Sequence, residues 1–238
     1  MSTSPAPAHA ATFVPLAETT RRQFLSYRFV RAVVAGFCYV FWRVRIEGRD
    51  NIPRSGPFIL SPVHRSNVDT PLMACVTRRR MRFMGKDSLW KYRWSAWFFT
   101  SLGGFPVHRG AVDREALRNS EAAIKAGEPI VVFPEGTRKS GPIVEEIFDG
   151  AAFVAIRAGV PIVPVGIGGS QRAMPKGSKL IRPVKIRIVI GPPIKPATAA
   201  SATGRPTRRQ IVELSSELKA DIQRLFDEAQ IAAGTPNS

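Results

Sequence analysis

The sequence predicts an α/β protein: a single domain with a mostly parallel central sheet flanked by helices, plus an N-terminal helix suited to a membrane interface. Three observations carry this. Short apolar runs at 58–60, 129–133 and 160–165 are bounded by Gly and Pro and read as buried strands. Segments 113–126 and 148–158 repeat apolar residues at helical spacing, and Gly127 and Gly159 stop them. Two of the strands run directly into polar loops, as strands do where an α/β sheet carries its functional groups.

In chain order, residues 1–20 are rich in Ala, Pro, Ser and Thr and read as a disordered leader. Residues 21–42 read as an amphipathic, interfacial helix in which Arg21, Arg22, Arg28 and Arg31 lead into an apolar stretch from Ala32 to Trp42. Eleven apolar residues bounded by Arg31 and Arg43 are too few to span a bilayer, and core packing of this helix is the competing reading. A strand at 44–47 and a turn-rich link precede the strand at 58–60. Thr70 and Pro71 read as an N-cap with proline at the first helical position. A strand at 81–84 follows Arg78-Arg79-Arg80, and these arginines with Arg82 read as solvated or lipid-facing. Trp90, Trp94 and Trp97 crowd the next segment, as an aromatic belt, an acyl groove wall or ordinary core. Asp113 reads as the cap of the helix behind it. Alternation over 184–190 predicts a basic-faced strand towards a sheet edge. The main α/β domain is expected over 43–195, with a linker at 196–206, an amphipathic helix at 207–229 and a disordered tail at 230–238.

At 238 residues the chain is long enough for a full core. Its charge is unusual: 35 Lys and Arg against 18 Asp and Glu give +17 at neutral pH, which calls for an anionic partner. Nucleic acid is disfavoured, because no helix-turn-helix, zinc or RNA-binding signature appears. Cys38 and Cys75 show neither disulfide framework nor metal spacing and read as buried free thiols. No metal site is indicated.

The chemistry concentrates in Ser61-Pro62-Val63-His64-Arg65-Ser66-Asn67-Val68-Asp69. On a regular helix, five residues turn through about 500°, which leaves His64 and Asp69 roughly 140° out of register. On a strand-to-helix loop they can meet, with the carboxylate fixing the imidazole tautomer and leaving a general base. In isolation the pair reads equally well as a satisfied loop histidine beside a capping aspartate. Residues 134–141 read as a turn-rich polar loop. Taken singly, Arg109 and Arg138 read as solvated arginines. There is no G-x-S-x-G, and neither cysteine has a nucleophile's setting.

Four segments together resemble the glycerolipid acyltransferases. His64-Arg65-Ser66-Asn67-Val68-Asp69 is similar to their H-x-x-x-x-D motif, and Gly104-Phe105-Pro106-Val107-His108-Arg109 to the second. Phe133-Pro134-Glu135-Gly136-Thr137-Arg138 is similar to the third and 160–165 to the fourth, in the family's order and spacing. The resemblance is strongest to the bacterial lysophosphatidate (1-acylglycerol-3-phosphate) acyltransferases. One departure is Val63, where many members carry Asn.

The resemblance implies acyl transfer from a coenzyme A or acyl carrier protein thioester to the sn-2 hydroxyl of lysophosphatidate. No cofactor is implied beyond that co-substrate. It also implies roles: His64 as base, Asp69 as its orienter, and Arg109, Glu135, Gly136, Thr137 and Arg138 as the acceptor site. Glu135 is expected either to position Arg138 or to bind the glycerol hydroxyl, and Lys86 is an optional further cation. The expected partners are a lysophospholipid, an acyl thioester and an anionic membrane surface, with the protein peripheral or monotopic on the cytoplasmic face of the plasma membrane. Glycerol 3-phosphate, another lysophospholipid or a glycolipid stands as the alternative acceptor. A non-catalytic basic binding protein is the remaining alternative.

Overall fold

The computed structural model describes residues 21–86, 90–107, 114–178, 180–197 and 205–237. The expected leader, most of the 196–206 linker, Asp113 and Arg109 lie outside them. Seven strands form one sheet in the order β1-β7-β6-β2-β5-β3-β4. These are β1 (Arg45–Glu47), β2 (Ile59–Pro62), β3 (Arg82–Lys86), β4 (Gly104–Val107), β5 (Ile130–Val131), β6 (Ile162–Gly168) and β7 (Arg187–Ile190). All pairs are parallel except β6–β7. The centre is built from the apolar runs read in the sequence: Ile59, Leu60, Ile130, Ile162, Val163 and Val165 are fully buried. Strands buried on both faces need continuous apolar sequence, which is why these runs do not alternate.

The helices are α1 (Arg21–Phe41), α2 (Asp69–Val76), α3 (Arg93–Ser101), α4 (Arg114–Lys125), α5 (Gly150–Ala158), the single turn α6 (Ser170–Ala173) and α7 (Arg208–Ala233). Helix α2 begins at Asp69, one residue before the expected Thr70 cap, because the Asp69 carboxylate is taken up by the loop behind it. Helix α7 runs four residues beyond the expected end at 229 and closes on Gly234 in the left-handed conformation. Beyond it, Asn237 donates to Asp227 (2.6 Å) and Thr235 Oγ1 to Gln230 Oε1 (3.1 Å). Gly166 and Gly168 of β6 let α7 lie directly on the sheet, since a Cβ at either would stand 2.0 Å from a carbonyl oxygen of Leu225 or Ala229.

Strand β7 is not at an edge. It sits between β1 and β6 with Ile186, Ile188 and Ile190 buried, because β1 pairs outside it and α7 packs across it. The arginine cluster also divides. Arg82 is buried against Glu128, with Nη2 3.2 Å from Oε1, and Arg80 is buried over the Tyr27 ring at 5.4 Å, so neither is solvated. The side chains of Trp94 and Trp97 lie outside the description, while Trp90 Nε1 donates to Thr100 (3.0 Å) and packs on Phe99.

Helix α1 buries Tyr27, Ala35 and Cys38, while Leu25, Phe29, Val33, Phe37 and Val40 are exposed on the other side. At about 100° per residue these five fall within one 120° sector. That stripe marks a membrane-associating surface. The expected shortness is revised: Phe24–Phe41 has a mean hydropathy of 1.4, and this helix is long and apolar enough to cross a membrane by length and composition. Arg28 and Arg31 are tolerated inside that window. Cys38 and Cys75 meet between α1 and α2 as buried free thiols, and their mutual hydrogen bond, with burial, pushes the Cys38 thiol up.

Candidate active site

The parallel strands all end at one edge of the sheet, and the loops after neighbouring β2 and β5 lie side by side there. Val63 is buried and its N–H donates to Val165 O (3.0 Å), so it extends the core. The chain then leaves the sheet at His64. His64 Nδ1 lies 3.0 Å from Asp69 Oδ2. The same oxygen accepts from the backbone N–H of Arg65 (2.7 Å) and Ser66 (2.6 Å). Asp69 is fully buried at the first position of α2, where the positive end of the helix dipole also favours an anion. Its charge is therefore held by three donors, and it fixes both the loop and the ring.

The imidazole stacks on Phe133 of the neighbouring loop, with centroids 4.1 Å apart and planes 30° apart. Its side chain retains 9% exposure, which leaves an edge within reach of a reactant. With Nδ1 engaged as a donor, Nε2 is the nitrogen free to take a proton. The loop conformation thus brings together the two residues that helical geometry would have kept apart.

Glu135 is buried and does not engage Arg138. Its Oε1 accepts from the His64 backbone N–H (2.9 Å) and from Arg65 Nη1 (2.8 Å), and Oε2 lies 2.5 Å from the same Nη1. Arg65 is fully buried, yet it also donates to the carbonyls of Gly141 (3.2 Å), Ile143 (2.9 Å) and His64 (3.3 Å). Lys139 N–H donates back to His64 O (3.0 Å). The result is a polar clamp that laces residues 135–143 to residues 64–65. Helix α7 backs it: Phe226 lies 5.0 Å beneath the Arg65 guanidinium, and Gln223 bonds Val144 N–H (2.6 Å) and Pro142 O (3.0 Å).

Gly136 turns the loop at φ +65°, with Phe148 where a Cβ would go, at 2.5 Å. Gly136 and Thr137 are exposed, and Arg138 is half-buried. Among the described residues no carboxylate pairs with Arg138. Strand β4 leads towards Arg109, itself outside the described residues, as is the side chain of Lys86 at the end of β3. Among the described residues no group of three or more His, Cys, Asp or Glu could hold a metal ion.

Arg65 is the residue the sequence reading passed over. Its partner is 70 positions away, and a lone arginine in a polar motif reads as solvated. The available signal was the carboxylate in the Phe-Pro-Glu run of the second loop, which needs a cation if the two loops touch and bury it.

The acyltransferase family model matches residues 43–168, more than half of the chain. A 1-acyl-sn-glycerol-3-phosphate acyltransferase of Bacillus subtilis is 24% identical over 183 residues, covering 76% of this chain and 87% of that protein. The chloroplastic 1-acyl-sn-glycerol-3-phosphate acyltransferase of Arabidopsis thaliana is 29% identical over 189 residues, covering 76% of this chain. The match spans about half of that plant relative's length, 52%. The crystal structure of the 1-acyl-sn-glycerophosphate acyltransferase PlsC from Thermotoga maritima superposes with a TM-score of 0.70 at 28% identity, covering 88% of this chain and 83% of that one. The sheet, the His64–Asp69 loop and these matches agree, and the chain belongs to the acyltransferase family.

Proposed function

We propose that this protein transfers a fatty acyl group from a coenzyme A or acyl carrier protein thioester to the sn-2 hydroxyl of lysophosphatidate, giving phosphatidate. The observation that carries the reading is the buried Asp69 carboxylate engaging His64 Nδ1 while the ring edge stays accessible. In the reaction, Nε2 of His64 removes the acceptor hydroxyl proton as the oxygen attacks the thioester carbonyl. The tetrahedral oxyanion collapses, the C–S bond breaks, and the proton passes from the imidazolium to the leaving thiolate. Asp69 holds the tautomer and stabilises the imidazolium as it forms. A thioester is already activated, so no covalent enzyme intermediate is required.

Arg138 is the phosphate contact favoured by position. Its loop is next to the His64 loop, whereas β4, which leads to Arg109, is three strands from β2, or about 14 Å at the usual strand spacing. Gly136 and Thr137 offer exposed backbone and hydroxyl groups at the same loop. Glu135, expected either to position Arg138 or to bind the glycerol hydroxyl, is read here as a positioning residue that acts through Arg65 and the His64 backbone. No cofactor enters this scheme. The exposed stripe on α1 and the net charge of +17 favour an anionic membrane surface, where the acceptor resides, and the cytoplasmic face of the plasma membrane is the side we assign.

The test is product identification. Incubation with an oleoyl thioester and an equimolar mixture of lysophosphatidate, glycerol 3-phosphate and other lysophospholipids should yield phosphatidate as the main acylated product. Acylation of another acceptor in preference would reassign the substrate while keeping the chemistry.

A further inference from the structure

A second polar concavity lies away from the catalytic edge, between α1 and the turn that joins α2 to β3. This groove of about 770 Å³ is lined by Arg31, Arg49, Arg54, Arg78, Arg79 and Tyr39, with no carboxylate among its lining residues. It adjoins the C-terminal end of α2, whereas the His64–Asp69 pair is at the N-terminal end, about 10 Å away along an eight-residue helix. The two sites are distinct.

Part of this cationic charge has structural work. Arg31 donates to Thr77 O (3.0 Å), Arg49 to Cys75 O (3.1 Å) and Tyr39 Oη (2.7 Å), and Arg79 to Pro53 O (2.9 Å) and Gly56 O (2.5 Å). These bonds cap the last carbonyls of α2 and pin the link before β2. Each guanidinium carries five N–H donors, so most remain unspent. Arg54 and Arg78 are exposed. Among the described residues no carboxylate pairs with any of the five. Burial pushes the Arg79 guanidinium below its ordinary value, as expected for a cation partly desolvated without a counter-charge. Five uncompensated guanidiniums around one groove form an anion site in search of its anion.

The position of the mouth says where that anion comes from. On α1 the groove wall includes Ala32, Ala35 and Gly36, and a Cβ at Gly36 would meet nothing within 4 Å. Gly36 falls, at about 100° per residue, between this wall and the exposed apolar stripe of Phe29, Val33, Phe37 and Val40. With the stripe in the acyl layer, the groove opens at the level of lipid head groups. We propose that the groove between α1 and the α2–β3 turn binds the phosphate head of an anionic phospholipid while α1 rests in its acyl chains. This rests on the membrane reading of α1 and is independent of which acceptor the active site takes.

The experiment is co-sedimentation of the full chain with vesicles of phosphatidylcholine, alone or doped with phosphatidate. Each basic residue near an anionic surface changes partitioning by about fivefold. Replacing the two exposed arginines, Arg54→Gln with Arg78→Gln, should therefore weaken binding to doped vesicles by about 25-fold, with binding to neutral vesicles unchanged. Lys125→Gln with Lys195→Gln removes the same charge from other exposed positions and should lower it far less. Equal losses in the two double variants would mean that net charge alone acts and would overturn the groove, as would an unchanged Arg54/Arg78 variant. Inorganic phosphate should release the wild type from doped vesicles more than chloride of equal ionic strength does; a wild type that binds inorganic phosphate yet sediments equally with neutral and doped vesicles would assign the groove to a soluble phosphate and overturn the lipid. Phe29→Ser with Val33→Ser should weaken binding to both kinds of vesicle. If it does not, the membrane role of α1 fails, and the lipid assignment falls with it.

Discussion

The Arg65–Glu135 clamp gives the sharpest consequence of this geometry. Both side chains are fully buried, and Arg65→Met would leave the Glu135 carboxylate with only the His64 N–H as donor. Breaking one side of a buried pair costs about 3–5 kcal/mol. For a chain of this size each kcal/mol lowers the melting temperature by about 2–4 °C, so a fall of about 6–20 °C is expected. Arg65→Met with Glu135→Gln removes both charges and keeps an acceptor for His64 N–H. Chemical and thermal unfolding of the four proteins form a double-mutant cycle, and the two changes should be non-additive by about 2 kcal/mol. Additivity to within about 0.5 kcal/mol would refute the clamp. Kinetics add an independent readout for Glu135→Gln. A positioning residue lowers kcat with KM for the acceptor little changed, whereas a substrate ligand raises KM.

Other consequences can be checked on single variants. Arg138→Gln should raise KM for lysophosphatidate more than it lowers kcat, measured at saturating acyl thioester; the opposite split would remove Arg138 from the phosphate site. Asp69→Asn should lower kcat by about 10²-fold or more, because the amide no longer stabilises the imidazolium. Gly168→Ala forces a Cβ to within 2.0 Å of the Ala229 carbonyl and should lower stability by at least about 1–3 kcal/mol in urea unfolding. Gly36→Ala, with open space around it on a helix, should instead raise it by about 0.5–1 kcal/mol.

The parts of this molecule legible in the sequence are those that depend on neighbours along the chain. The apolar run ending at Leu60, the two loop motifs and the stop at Gly159 are local signals, and each element stands within a few residues of its expected place. The placement of His64 beside Asp69 was also local, since five residues of loop decide it. What was not legible depends on contacts between distant segments. Arg65 and Arg82 look like surface arginines until Glu135 and Glu128 are folded against them. Strand β7 carries the alternating pattern of an edge, and only the pairing of β1 outside it moves it inward. The apolar run of α1 looked too short to span because counting stopped at Arg31, whereas the window Phe24–Phe41 includes Arg28 and Arg31 and is still apolar enough.

The central claim is that His64 removes the acceptor proton. The measurement that tests it most directly is single-turnover formation of phosphatidate from an oleoyl thioester and lysophosphatidate in mixed micelles, with wild type and His64→Ala compared at equal folded concentration. The account predicts rapid product from the wild type and a rate lower by about 10²–10⁴-fold in the variant, with thiol release falling in step. Equal rates in the two proteins would contradict it.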